Sequence, residues 1–301
     1  MASSPVSGLR SVALNIADMD AAEDFFVRVW HLSVADRSGD AVYLRAAGTD
    51  HHVLSLHKSD KTTLRNITFR ANSAEDLERI AAATKAASGT IVSPVAPVAE
   101  PCGGIGLTIK DPHGRLLRVV HGDRLGDRLA GGAGNSHDRP LRLAHVVVNC
   151  RDVPVAQGFL EAVLGFRLID RTRALAFMNC NRDHHSIAFA DADNDALNHI
   201  AFLMPDLESV MRGGGRLKDA GHAIEWGPGR HGPGNNAFNY FIGPGGVVVE
   251  YTAEVEQVDD SYRVGTPDTW GWPAGRYDHW GISAAPSARL KEAQRLVHFE
   301  K

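Results

Sequence analysis

Few cysteines, little imbalance of charge and no long apolar run mark this sequence, and each shortage removes a class of function. Cys102, Cys150 and Cys180 are an odd number without CxxC spacing, which leaves neither a disulfide framework nor a thiolate metal knot. Thirty-two Lys and Arg stand against 36 Asp and Glu, a formal charge of −4. The cations are scattered, so nucleic acid is not an expected partner. No apolar stretch approaches the ~18 residues of a membrane span. The opening MASSPVSGLR lacks a basic region followed by an apolar one, and the expectation is a cytoplasmic chain with no membrane partner. What is present is a globular composition, 44% hydrophobic and 23% charged over 301 residues, with an excess of histidine at 15. That length accommodates about two domains.

The sequence repeats itself. Leu9 to Arg37 aligns without a gap on Leu143 to Arg171, pairing Asn15 with Asn149, Asp18 with Asp152, and Asp36-Arg37 with Asp170-Arg171. Further on, Asp50 to Leu56 matches Asp183 to Phe189, Leu64 to Phe69 matches Leu197 to Phe202, and Asp111 to Val119 matches Gly243 to Tyr251. This predicts an N-terminal domain over 1–124, a Gly-, Asp- and Pro-containing linker over 125–139, a second domain over 140–254 and an aromatic tail over 255–301.

In the second copy, β-branched alternation predicts strands over 141–149, 174–179, 184–190, 197–203, 236–242 and 246–252. Apolar spacing predicts helices over 153–164 and, opened by Asp206, over 207–220. The order reads as two βαβββ modules per copy. The expected fold class is α+β, with mixed sheets curved into partly open barrels and helices outside.

Duplication turns one copy into a control for the other. Ser11, Asn66 and Arg118 of the first copy stand where the second has His145, His199 and Glu250. All three differences gain metal-ligand chemistry. Two imidazoles and a carboxylate suit divalent iron with three positions left open, and zinc accepts the same set. On the predicted strands, His145 and His199 open the first strands of the two modules, while Glu250 shares a face of the last strand with Val248.

At these residues the chain resembles the vicinal oxygen chelate superfamily and, within it, the type I extradiol catechol dioxygenases. The most specific segment is HGPGNNAFNYFIGPGGVVVEYTAE, which opens at His231 and contains Tyr240 and Glu250. The resemblance implies metal in the C-terminal domain at His145, His199 and Glu250, and none in the N-terminal one. It makes His231 and Tyr240 catalytic neighbours of the metal and His185, second of the pair in His184-His185-Ser186-Ile187-Ala188-Phe189, an acid–base residue. The first copy also has Asp50-His51-His52, so part of this motif is architectural, and His184 is the better candidate for that role. The cofactor implied is Fe(II), with Mn(II) as substitute and O2 as co-substrate. The partner implied is a small catecholic molecule, cleaved beside its two hydroxylated carbons to a 2-hydroxymuconic semialdehyde-type product. A homo-oligomer is expected.

Arg230 has two readings, a surface residue of its glycine-rich loop or a group that helps hold an anionic substrate or intermediate, and the surface reading is favoured. The tail, with Trp270, Trp272 and Trp280, reads as a lid over the second domain or as a subunit contact, with Arg276 or His279 reaching substrate. Met178, Phe177 and Trp226 have two readings, pocket lining or core, and apolar residues in such strands are usually core. Two other functions suit the same fold: a metal-dependent glyoxalase-like lyase or isomerase, and a small-molecule-binding protein without catalysis.

Overall fold

The structure, a computed structural model, describes residues 4–129 and 138–300. Most of the expected linker, 130–137, lies outside them. In the first copy the strands are β1 (Val6–Ile16), β2 (Ser33–Ser38), β3 (Ala41–Arg45), β4 (Leu54–Lys58), β5 (Thr63–Ala71), β6 (Thr90–Pro97), β7 (Ile105–Lys110) and β8 (Leu116–His121), with helices α1 (Met19–Asp24) and α2 (Ala74–Ala86). The second copy has β9 (Arg142–Cys150), α3 (Val153–Leu164), β10 (Arg167–Arg171), β11 (Leu175–Asn179), β12 (Ile187–Asp191), β13 (Ala196–Leu203), α4 (Leu207–Asp219), β14 (Trp226–Arg230), β15 (Ala237–Ile242) and β16 (Val248–Ala253). A short α5 (Ala288–Ala293) lies in the tail.

Each copy forms one eight-stranded mixed sheet, ordered β2-β3-β4-β1-β5-β8-β7-β6 and β10-β11-β12-β9-β13-β16-β15-β14. Within each, two parallel pairs such as β9 with β12 and β13 with β16 are embedded among antiparallel ones. The order is that of two βαβββ modules joined through their first strands.

Local chemistry fixes the helices. The Asp152 carboxylate accepts from the Val155 N–H, Pro154 suits the first turn, and Gly165 at φ 67° ends α3 in the left-handed region. Asp206 accepts from the Ser209 N–H to open α4. The same buried cluster includes Phe26 and Phe69 of the first copy and Phe202 and Tyr251 of the second, so the copies share one apolar core. Trp30 is the joint. Its ring stacks on Tyr251 at 3.7 Å, and its carbonyl accepts from the Tyr251 hydroxyl at 2.7 Å.

His145 and His199 do not open their strands. Each is the fourth residue of its strand, β9 or β13, with three paired or flanking strand residues ahead of it. β10 and β14 were not read from the sequence. β14 is the short edge strand WGPGR, whose glycines and proline disguise it.

Candidate functional site

Strand register assembles the site. One row of paired residues crosses the second sheet: His145 on β9 faces Ala201 on β13, which faces Glu250 on β16, which faces Tyr240 on β15. His199 lies two residues from Ala201, on the same face by the period of the strand. In the first sheet the equivalent row runs Ser11, Thr68, Arg118, Thr108. The sequence correspondence of Ser11 with His145 and Arg118 with Glu250 is therefore also a spatial one.

Three donor atoms meet at the end of this row. His145 Nε2 and His199 Nε2 each stand 3.2 Å from Glu250 Oε2 and 3.4 Å from one another. Ligands about 2.1 Å from one ion subtend edges of roughly 3.0–3.4 Å between right-angled and tetrahedral geometries. The set fits a divalent metal. Glu250 is wholly buried, and its Oε1 has no hydrogen-bond partner among the described residues. Burial opposes charge on this carboxyl, but His145, His199 and His231 around it outweigh that and hold it well below the usual carboxylate range. A buried anion beside two imidazoles is a site built for a cation.

The other expected residues gather here. His185 packs beside His145, ring centres 4.1 Å apart. Burial, then the neighbouring His145 and His184, lower its pKa well below that of a free imidazole. Burial lowers His199 as well. His231 Nε2 lies 3.1 Å from the Tyr240 hydroxyl and its ring stacks on Phe238. Burial, followed by the Glu250 charge, raises the Tyr240 phenol well above its ordinary value. His145, His185, His199, His231 and Tyr240 line one cavity of about 740 Å3.

Several expectations need correction. Phe177 and Trp226 line the cavity rather than only filling core, while Met178 is fully buried core. Arg230 is not a free surface group: it pairs with Glu254, donates to the Asn235 carbonyl and lies over the Trp280 ring, 5.1 Å from its centre. Arg276 and His279 do not line the cavity. Arg276 donates to the carbonyls of Asp278 and His279 and lies over Trp272. Trp270, Trp272, Tyr277 and Asp278 of the tail line the cavity. Lys291 of α5 and Gln294, the residue that follows the helix, also line the cavity, and nothing in the local sequence marked them.

The corresponding place in the first copy is filled by the chain's own cations. His52, Glu100 and Cys102 are close enough to hold an ion. However, the Arg10 guanidinium lies 2.5 Å from His52 Nε2 and 2.9 Å from Cys102 Sγ, and Arg118 pairs with Glu100.

Comparison with known proteins places these features in a wider group. Residues 8–119 and 142–251 match the family described as the Glyoxalase/Bleomycin resistance protein/Dioxygenase superfamily. Metapyrocatechase 2 of Cupriavidus necator is 30% identical over 191 residues, 57% of this chain and 57% of that protein. The match thus spans little more than half of that relative. A manganese-dependent 2,3-dihydroxybiphenyl 1,2-dioxygenase of Geobacillus genomosp. 3 is 26% identical over 254 residues, 78% of this chain and 80% of that protein. Among solved structures, the Mn(II)-bound glyoxalase from Novosphingobium aromaticivorans superposes with a TM-score of 0.87 at 33% identity, covering 95% of this chain and 94% of that one.

Proposed function

Because the chain belongs to the glyoxalase, bleomycin resistance protein and dioxygenase superfamily, we propose that it is an extradiol dioxygenase that opens a catecholic ring beside its two hydroxylated carbons. His145, His199 and Glu250 would hold Fe(II), with Mn(II) as substitute. The observation that carries this reading is the closed set of three donor atoms with His185, His231 and Tyr240 around it. The names of the dioxygenase relatives support it.

The metal, when bound, supplies a chelation point for the two vicinal oxygens and the electronic path by which dioxygen reacts with the ring. Both oxygen atoms enter the product, so no external reductant is consumed. The protein's own groups position the ring and move protons. His185, kept neutral by burial, accepts a proton from the catechol and returns it when the O–O bond breaks. Tyr240 stays protonated at neutral pH because burial raises its pKa, and remains a hydrogen-bond donor to developing oxyanions. His231 holds that hydroxyl in place. Val147, Phe177 and Trp226 form an apolar wall that seats the ring and excludes water. Assembly as a homo-oligomer belongs to the same reading, supported by exposed Trp280 and Ile282 on the tail, and light scattering tests it.

Iron-loaded protein mixed aerobically with catechol, methylcatechols and 2,3-dihydroxybiphenyl should give yellow product and consume one O2 per ring opened. His145→Ala and Glu250→Ala should lose bound metal. Tyr240→Phe should keep it and lose about 10²-fold or more in kcat. No turnover across this panel with zinc tightly bound would refute the reading.

A glyoxalase-like isomerase is the second reading, favoured by the name of the 33% identical structure. It predicts thioester formation from a hemithioacetal without O2 uptake. The candidate donor set contains one carboxylate, which leaves that chemistry without a second carboxylate as base.

A further inference from the structure

His185 does not stand alone. His184 Nδ1 lies 3.0 Å from His185 Nδ1, and His184 Nε2 lies 2.8 Å from Asp170 Oδ2. Asp170, on β10, is fully buried, as is His184. The tail completes the array: the Tyr262 hydroxyl donates to Asp170 Oδ2 at 3.1 Å, and the Gly265 N–H donates to Oδ1 at 2.6 Å.

From this geometry we infer that Asp170 and His184 are positioning residues that fix which ring nitrogen of His185 is bare. Resting on the dioxygenase reading, this assigns the pair a role in the acid–base step. A carboxylate only accepts, so the His184 nitrogen facing Asp170 carries the proton. The other nitrogen of the neutral His184 ring is then an acceptor. Among the described residues, the nitrogen opposite it is His185 Nδ1, which must then carry the proton, leaving His185 Nε2 without one and free to take one.

The first copy supports the assignment independently. His51 and His52 repeat the contact between Nδ1 atoms at 3.1 Å. There the Arg10 guanidinium, which only donates, faces His52 Nε2 at 2.5 Å. His52 Nε2 is therefore bare and its Nδ1 protonated, the tautomer deduced for His185. The clamp differs between the copies. Asp36, the counterpart of Asp170, is partly exposed and stands 4.0 Å from His51 Nε2. In the second copy the carboxylate is in contact and is sealed by the tail. Where a fixed guanidinium faces the bare nitrogen, no clamp is needed. Where the nitrogen must face a transient substrate, the carboxylate and the tail hold the tautomer.

The test is histidine nitrogen NMR on the full-length chain freed of paramagnetic metal, with kinetics on the iron-loaded protein. In wild type, His185 should show a protonated Nδ1 and a bare Nε2. Asp170→Asn puts an amide donor opposite His184 and should reverse both rings. The kcat should fall by about 10²-fold or more with KM within about threefold and metal content unchanged. Tyr262→Phe removes a single donor to Asp170, guards against misfolding of the first variant, and should lower kcat severalfold with the His185 tautomer partly mixed. A protonated His185 Nε2 in wild type, or an unchanged tautomer in Asp170→Asn, overturns the inference. If the tautomer reverses while no catechol is turned over even by wild type, the dioxygenase reading fails and the positioning role stands.

Discussion

Replacing Trp30 by alanine tests whether the two copies fold as one unit. Trp30 is fully buried, stacks on Tyr251 at 3.7 Å and meets Phe202 and Phe241 edge-on. Truncating a buried Trp costs about 3–5 kcal/mol in lost transfer and cavity energy, and the stacked pair adds about 1 kcal/mol. One term opposes these. The indole N–H has no hydrogen-bond partner among the described residues, and removing an unsatisfied buried donor recovers about 1–2 kcal/mol. The net cost is about 2–5 kcal/mol. An unfolding entropy of about 2.1 cal/mol/K per residue over 301 residues is about 0.6 kcal/mol/K, so Tm should drop by about 3–8 °C. Trp30→Phe keeps a ring against Tyr251 and sheds the unsatisfied N–H, so it should cost about 1 kcal/mol or less. Scanning calorimetry reads both. One transition moving as a whole is expected, since the core is continuous. A split into two transitions in wild type, or equal losses for the two variants, would refute the reasoning.

Two further outcomes follow from the site. Gly234 sits at φ +77°, and a Cβ there would come within 3.2 Å of His184 Nδ1 and 3.3 Å of His185 Cε1. Gly234→Ala should lower kcat by an order of magnitude or more while metal content, measured by mass spectrometry, is retained. Burial opposes charge on Asp278, but backbone N–H groups of Arg230, Trp280, Ile282 and Ser283 outweigh it and depress its pKa. A depressed folded pKa contributes stability above the ordinary aspartate value of about 3.9 that is lost as pH falls through the folded value. Tail tryptophan fluorescence should shift in that acid range, and Asp278→Asn should abolish the pH dependence of that shift.

The helix over 153–164 was legible to the residue because its start and stop signals are local: Asp152, Pro154 and Gly165. The histidine and glutamate differences were legible because a second copy stood beside them. What sequence could not show was set by distant contacts. Trp226 falls in a strand whose pairing partner, β15, lies a hairpin away. The tail returns over the cavity through turns without periodicity, so alternation could not tell Tyr277 and Asp278, which reach it, from Arg276 and His279, which do not. Asp170 aligned with Asp36 in the repeat, but alignment does not reveal that one carboxylate touches its histidine and the other stops short.

The guanidinium of Arg10 among His52, Glu100 and Cys102 gives the duplicated fold an unequal vulnerability. A charge tethered through its own backbone cannot be dialysed out, competed away by a chelator or exchanged for a wrong metal. An ion held by His145, His199 and Glu250 is open to all three. Metal starvation would therefore strike one half of the molecule while its twin, permanently furnished with a counter-charge, continued to present its share of the common core.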